Sequence, residues 1–136
     1  MSTPDSTPPP DSRQRHGGIG VVGPCGSGKT TLITALRAHG LVARQIAQEH
    51  SHVRDMWRRL AAPSVLVFLD ASYATCTDRK RFDWPVEDYL EQQRRLEHAR
   101  RECAIYVVTD DLTPQAVVEE VLLAIGRPPS LPRDAC

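Results

Sequence analysis

Eight consecutive residues, Gly23-Pro24-Cys25-Gly26-Ser27-Gly28-Lys29-Thr30, fit the pattern G-x-x-x-x-G-K-(S/T) with no misfit. An apolar run, Ile19-Gly20-Val21-Val22, precedes them and suits a buried strand. A helical stretch from Thr31 to His39 follows and is closed by Gly40. Strand, glycine loop and helix in that order are the context in which this pattern cradles phosphate. A helix start offers unpaired N–H groups and a partial positive charge. Glycines let the loop curl until successive N–H groups face inward. The binding set is expected to run from Gly23 through Pro24, Cys25, Gly26, Ser27, Gly28, Lys29 and Thr30 to Thr31. Lys29 would neutralise the β- and γ-phosphates and the Thr30 hydroxyl would ligate Mg²⁺.

The chain has 136 residues, which points to one domain. Residues 1–16 and 127–136 hold seven of the eleven prolines and are poor in apolar side chains, so both are expected to be disordered tails. Residues 17–126 remain for a nucleotide-binding domain. Lys plus Arg and Asp plus Glu balance at 17 each, which argues against nucleic-acid or membrane partners. No apolar run approaches a membrane span, and no signal-peptide core stands at the N-terminus. Cys25, Cys76, Cys103 and Cys136 are scattered, which disfavours disulfides and a zinc site and suits a reduced cytoplasmic setting.

Further along, Leu41–Ala47 reads as a second strand with edge character, followed by the polar cluster Gln48-Glu49-His50-Ser51-His52. Val53, Met56, Trp57 and Leu60 have helical spacing, with Ser51 as a cap and Pro63 as a stop. Val65-Leu66-Val67-Phe68-Leu69 is apolar throughout, as a central parallel strand should be, and Asp70 ends it. Ala71–Trp84 reads as a variable stretch. Pro85 opens a helix to about Glu102, with Val86, Tyr89, Leu90, Gln93 and Leu96 on one side. Ala104–Val108 reads as the last strand. Thr113 caps a closing helix with Val117, Val118, Val121, Leu122 and Ile125 inward, and Gly126 stops it. Alternating strands and helices predict an α/β three-layer sandwich with a short parallel sheet. The loop, Gln48–His52, Asp70 and Thr109-Asp110 should then converge on one sheet edge.

On Gly23–Thr30, Val65–Asp70 and Tyr106–Asp110 the chain resembles the P-loop kinase-like group, which includes nucleoside monophosphate, shikimate and gluconate kinases. The resemblance implies a P-loop nucleoside triphosphate hydrolase-type fold, ATP and Mg²⁺ as cofactors, and a small-molecule phosphoryl acceptor. It also implies an Arg-bearing lid after the Leu-Asp strand end, where Arg79, Lys80 and Arg81 lie, unless these form a solvated basic turn. Lys29, Arg79, Arg81 and Glu49 are thus the catalytic candidates, and Thr30 and Asp70 the metal candidates. Glu49 is a possible proton acceptor or Mg²⁺-water ligand, or else a solvated loop carboxylate. Asp70 is a Mg²⁺-shell group or a helix cap. His50 and His52 form an H-x-H pair without a third ligand nearby, a weak metal signal. Trp57 and Trp84 suit packing better than stacking on a base. An N-K-x-D motif is absent, which leans the base toward adenine. Four strands, against five in those kinases, keep a non-catalytic nucleotide-binding module or an NTPase switch open as alternatives.

Overall fold

The computed structural model describes residues 18–81 and 83–126. The expected tails, residues 1–16 and 127–136, lie outside the described residues. Four parallel strands form one sheet: β1 (Ile19–Val22), β2 (Ala43–Gln45), β3 (Val65–Asp70) and β4 (Ile105–Val108), in the order β2-β1-β3-β4. The helices are α1 (Lys29–Ala38), α2 (Tyr73–Lys80), α3 (Val86–Arg95), α4 (Glu97–Glu102) and α5 (Pro114–Ala124). The protein is α/β.

Period-two alternation sorts the strand side chains onto two faces. Ile19, Val21, Val67, Leu69 and Val107 face α1 and α5, meeting Leu32, Leu36, Val118 and Val121. Val22, Leu66 and Phe68 face the other way, onto Trp57, Ala61, Leu96 and Ala99. Val67, Phe68 and Leu69 are fully buried, which is why β3 carries no polar residue before Asp70. Each such side chain contributes about 1.5–3 kcal/mol by leaving water.

The connections from β1 and β3 run to opposite sides of the sheet, so the two adjacent strands define a switch point where a crevice opens at their C-terminal ends. Gly23 lies there against β3. A Cβ on Gly23 would stand 2.1 Å from the Leu69 carbonyl oxygen, so only glycine lets the loop leave β1 at this distance.

Several expected boundaries shift. The helix expected near Val53–Leu60 is a single π turn, Trp57–Ala61. Trp57 is buried there, while Val53 and Leu60 face solvent. Ser51 accepts from the Val53 N–H in a local turn and caps no helix. The stretch after Asp70 is ordered as α2, capped by Ser72, whose hydroxyl accepts from Thr75 N–H. The long helix expected after Pro85 turns at Leu96 into α3 and α4. Its buried positions are Gln92, Leu96 and Ala99, whereas Val86 and Leu90 are exposed. Thr113 caps α5 as expected, accepting from Ala116 N–H, and Gly126 follows it in the left-handed region.

Candidate functional site

The loop between β1 and α1 turns on a hydrogen bond from Ser27 N–H to the Pro24 carbonyl, 3.1 Å. Gly28 caps α1 at φ 102°, so the first turn of α1 presents its orphan N–H groups beside Gly26 and Gly28. Gly26, at φ 86°, packs against α2, where a Cβ would lie 2.8 Å from the Cys76 carbonyl oxygen. Gly26 is therefore fixed by a protein neighbour, whereas Gly28 is fixed by its left-handed backbone alone, its Cβ position meeting nothing nearer than Arg79 Nη1 at 4.0 Å.

Lys29 is buried and folds back over the loop. Its Nζ donates to the carbonyls of Gly23 (2.7 Å) and Pro24 (3.0 Å) and lies 3.3 Å from Glu49 Oε2. Glu49 sits in the 3₁₀ turn Gln48–His50 that follows β2. The turn is anchored by the fully buried Gln48, which donates to the Val53 carbonyl and accepts from Trp57 N–H. Glu49 is therefore not a solvated loop carboxylate. Its Oε1 is buried without a hydrogen-bond partner among the described residues.

Arg79 projects from α2 onto the loop. Its Nη1 lies 3.2 Å from the carbonyls of both Gly26 and Ser27 and 3.0 Å from Thr109 Oγ1, while Nη2 donates to the Thr109 carbonyl at 3.0 Å. One guanidinium thus ties the loop to the end of β4. The register of α2 is held by Ser72 N–H on Asp110 and by Tyr73, Trp84 and Tyr89, whose rings pack together. Tyr73 OH donates to the Trp84 carbonyl and Trp84 Nε1 to Thr77 Oγ1. Both tryptophans are packing residues, and Trp57 Nε1 donates to His98.

The remaining candidates separate. Arg81 ends α2 in the left-handed region and lines a shallow surface hollow with Thr77, Asp78 and Asp83, apart from the loop. Asp70 is engaged on the far face: Oδ1 accepts from Ala71 N–H and Gln93, and Oδ2 accepts from Tyr106 OH at 2.5 Å, with Arg100 3.7 Å away. The tyrosine is held protonated, its pKa pushed up to about 12 by burial and by the Asp70 carboxylate. His50 and His52 part company. His50 lies 3.5 Å from Cys25 Sγ, whereas His52 lies 3.4 Å from Arg95. Gln92, not singled out in the sequence, brackets the loop from α3, accepting from Cys25 N–H at 3.0 Å.

Two hollows flank the loop. One of about 500 Å³ is lined by Gly26, Lys29, Thr30, Gln45, Glu49 and His50, among others. The second, about 250 Å³ and mostly apolar, is lined by Thr31, Leu32, Arg79, Leu112, Pro114 and Val117 among others. Gly28, Thr31 and Arg79 border both.

No family model and no curated protein matches this chain. The site's chemistry is therefore read from its own geometry. Among the described residues no helix is long and apolar enough to cross a membrane.

Proposed function

We propose that this protein binds ATP on the Gly23–Thr31 loop in a P-loop type fold and acts as a small Mg²⁺-dependent, kinase-like phosphotransferase. The observation that carries the reading is the placement of Lys29. A buried ammonium, held by two loop carbonyls and Glu49, lines a hollow that also takes in the first turn of α1. A buried ammonium needs partners, and this one, held by carbonyls and a carboxylate, borders a hollow where a polyanion could replace them.

In this reading the triphosphate lies over the loop, where Lys29 exchanges its carbonyl partners for phosphate oxygens. Arg79 keeps Gly26 and Ser27 in place, so the donors are set before the ligand arrives. The base takes the smaller hollow, between the Arg79 side and the Leu112–Pro114 side, where apolar walls suit an aromatic ring. The exposed Thr30, which lines the larger hollow on the first turn of α1, would supply one hydroxyl oxygen to Mg²⁺, with phosphate and water supplying the others. Bound there with the phosphates, Mg²⁺ would neutralise charge on the transferred group. Asp70, committed to Tyr106, Gln93 and Arg100, takes no part in holding it.

The acceptor belongs in the larger hollow, beside Glu49 and Gln45. Once Lys29 turns to phosphate, the Glu49 carboxylate is released to accept a proton from an acceptor hydroxyl. The setting is a reducing, cytoplasmic one, in keeping with free Cys25, Cys76 and Cys103.

Calorimetric titration of the full chain with ATP and Mg²⁺ tests the binding. A one-to-one isotherm is expected, and absence of heat with any common nucleoside triphosphate overturns the reading. Labelled ATP offered with nucleosides, sugars and small acids then tests the transfer. Tight binding without transfer would instead support a non-catalytic nucleotide-binding module.

A further inference from the structure

We propose that Cys25, Glu49 and His50 form a binding site for a thiophilic divalent cation of the Zn²⁺ type, set in the wall of the larger hollow. The three residues come from two segments, the loop after β1 and the 3₁₀ turn after β2. Their ligand atoms all lie within 4.8 Å of one another.

The spacing fits a tetrahedral ion. With Zn–S of about 2.3 Å and Zn–N and Zn–O of about 2.0–2.1 Å, tetrahedral ligands stand about 3.3–3.6 Å apart. Here Cys25 Sγ is 3.5 Å from His50 Nε2 and 4.0 Å from Glu49 Oε2, and those two are 3.7 Å apart. A contraction of a few tenths of an ångström closes the set. The sulfur, imidazole and carboxylate mixture selects zinc-like ions over Mg²⁺, which takes oxygen ligands.

A separate observation points to a missing partner. Glu49 is only 2% exposed, yet its Oε1 has no hydrogen-bond partner among the described residues, while Oε2 faces Lys29. Oε2 is the oxygen nearest both Lys29 and the Cys25–His50 pair, so a rotation of the carboxyl group that brings the unsatisfied Oε1 to the ion would leave Oε2 to the ammonium. Gln92 supplies an outer contact, its Nε2 lying 3.3 Å from Cys25 Sγ, where it would donate to the thiolate. Binding would release the Cys25 thiol proton to solvent. Three protein ligands leave a fourth position for water or another small ligand, the arrangement of an open rather than a closed zinc site.

This site does not depend on the nucleotide reading, and its test uses no nucleotide. Reduced, chelator-stripped full chain is titrated with Co²⁺ as a spectroscopic probe. One equivalent should produce a thiolate-to-cobalt charge-transfer band with the strong visible absorption of four-coordinate cobalt, and Zn²⁺ should displace it. Cys25→Ser should abolish the charge-transfer band. His50→Ala, at a side chain 58% exposed and so of little weight in folding, should weaken Co²⁺ binding at least about tenfold. His52→Ala should leave it unchanged. No band in the wild-type chain, or a band that survives Cys25→Ser or is unmoved by His50→Ala, overturns the site.

Discussion

The ammonium of Lys29 lies 3.3 Å from the Glu49 carboxylate, and the two side chains are 5% and 2% exposed. A buried pair of this kind draws much of its worth from the cost of separating it. Lys29→Met should therefore leave Glu49 as an uncompensated buried charge and lower stability by about 3–5 kcal/mol. Adding Glu49→Gln to that variant should recover part of the loss, because the stranded charge is gone. Urea denaturation of the two single variants and the double variant measures the coupling. Additive effects would show that the two groups do not interact.

Arg79 and Arg81 are two residues apart and have opposite expected weights. Arg79 spans the loop and Thr109, whereas Arg81 lines a surface hollow with Thr77, Asp78 and Asp83. Arg79→Ala should cost about 1.5–3 kcal/mol, the range for hydrogen bonds made by a charged group, and should weaken ATP binding by slackening the loop. Arg79→Lys should not restore it, because one ammonium cannot reproduce the planar fork. Arg81→Ala should stay within about 0.5 kcal/mol of the wild type and leave ATP affinity unchanged. Thermal melts and ATP calorimetry on the three variants check this.

The sequence legibly marked the elements whose pattern is local and strong. The apolar run of β3, the Thr113 cap and Gly126 stop of α5, and the strand-loop-helix of Ile19–Ala38 all appear where expected. The helix α2 was hidden because its only fully buried member is Cys76, so no apolar stripe exists to reveal it. The one local signal was Ser72, whose hydroxyl caps the helix. For α3 the buried face is set by Gln92, a polar residue that reaches the loop, while the apolar Val86 and Leu90 are exposed. Period reading follows apolar residues, so it set Leu96 and Tyr89 inward correctly but added Val86 and Leu90 and passed over Gln92. At the site, Lys29 was legible from its motif. Its pairing with Glu49, and the approach of His50 to Cys25, were not, because both depend on how β2 docks beside β1.

Alkaline pH should lower the protein's stability, with two groups held protonated in the fold contributing most. Burial pushes the Cys76 thiol from 9.0 up to about 11, while Tyr106, 47% exposed overall, is pushed from 10.0 up to about 12 by the local desolvation of its hydroxyl and by the Asp70 carboxylate it donates to, an effect that solvent screening weakens. Below the unfolded values both states hold these protons and the contribution is complete. Above them the unfolded chain releases protons that the folded chain retains, so stability falls with rising pH. The decline should begin near pH 9, steepen above pH 10 and level off near pH 12. Tyr106→Phe should flatten the part between about pH 10 and 12. Denaturation midpoints across that range measure the slope, and a midpoint that rises with pH would contradict the assignment.

Thr31 borders both hollows from the exposed side of α1, so a large ring placed there enters the ligand cleft without entering the core. Thr31→Trp should leave stability within about 0.5 kcal/mol of the wild type, as for surface substitutions generally. If the base lies between Arg79 and Pro114, the indole occupies its space, and ATP affinity should fall by about tenfold or more, or at least about 1.4 kcal/mol. Inorganic tripolyphosphate, which has no base, should bind the variant as well as it binds the wild type. Calorimetry with the two ligands separates the phosphate subsite from the base subsite. Equal losses for both would mean that the indole obstructs the loop itself, and equal retention would place the base elsewhere.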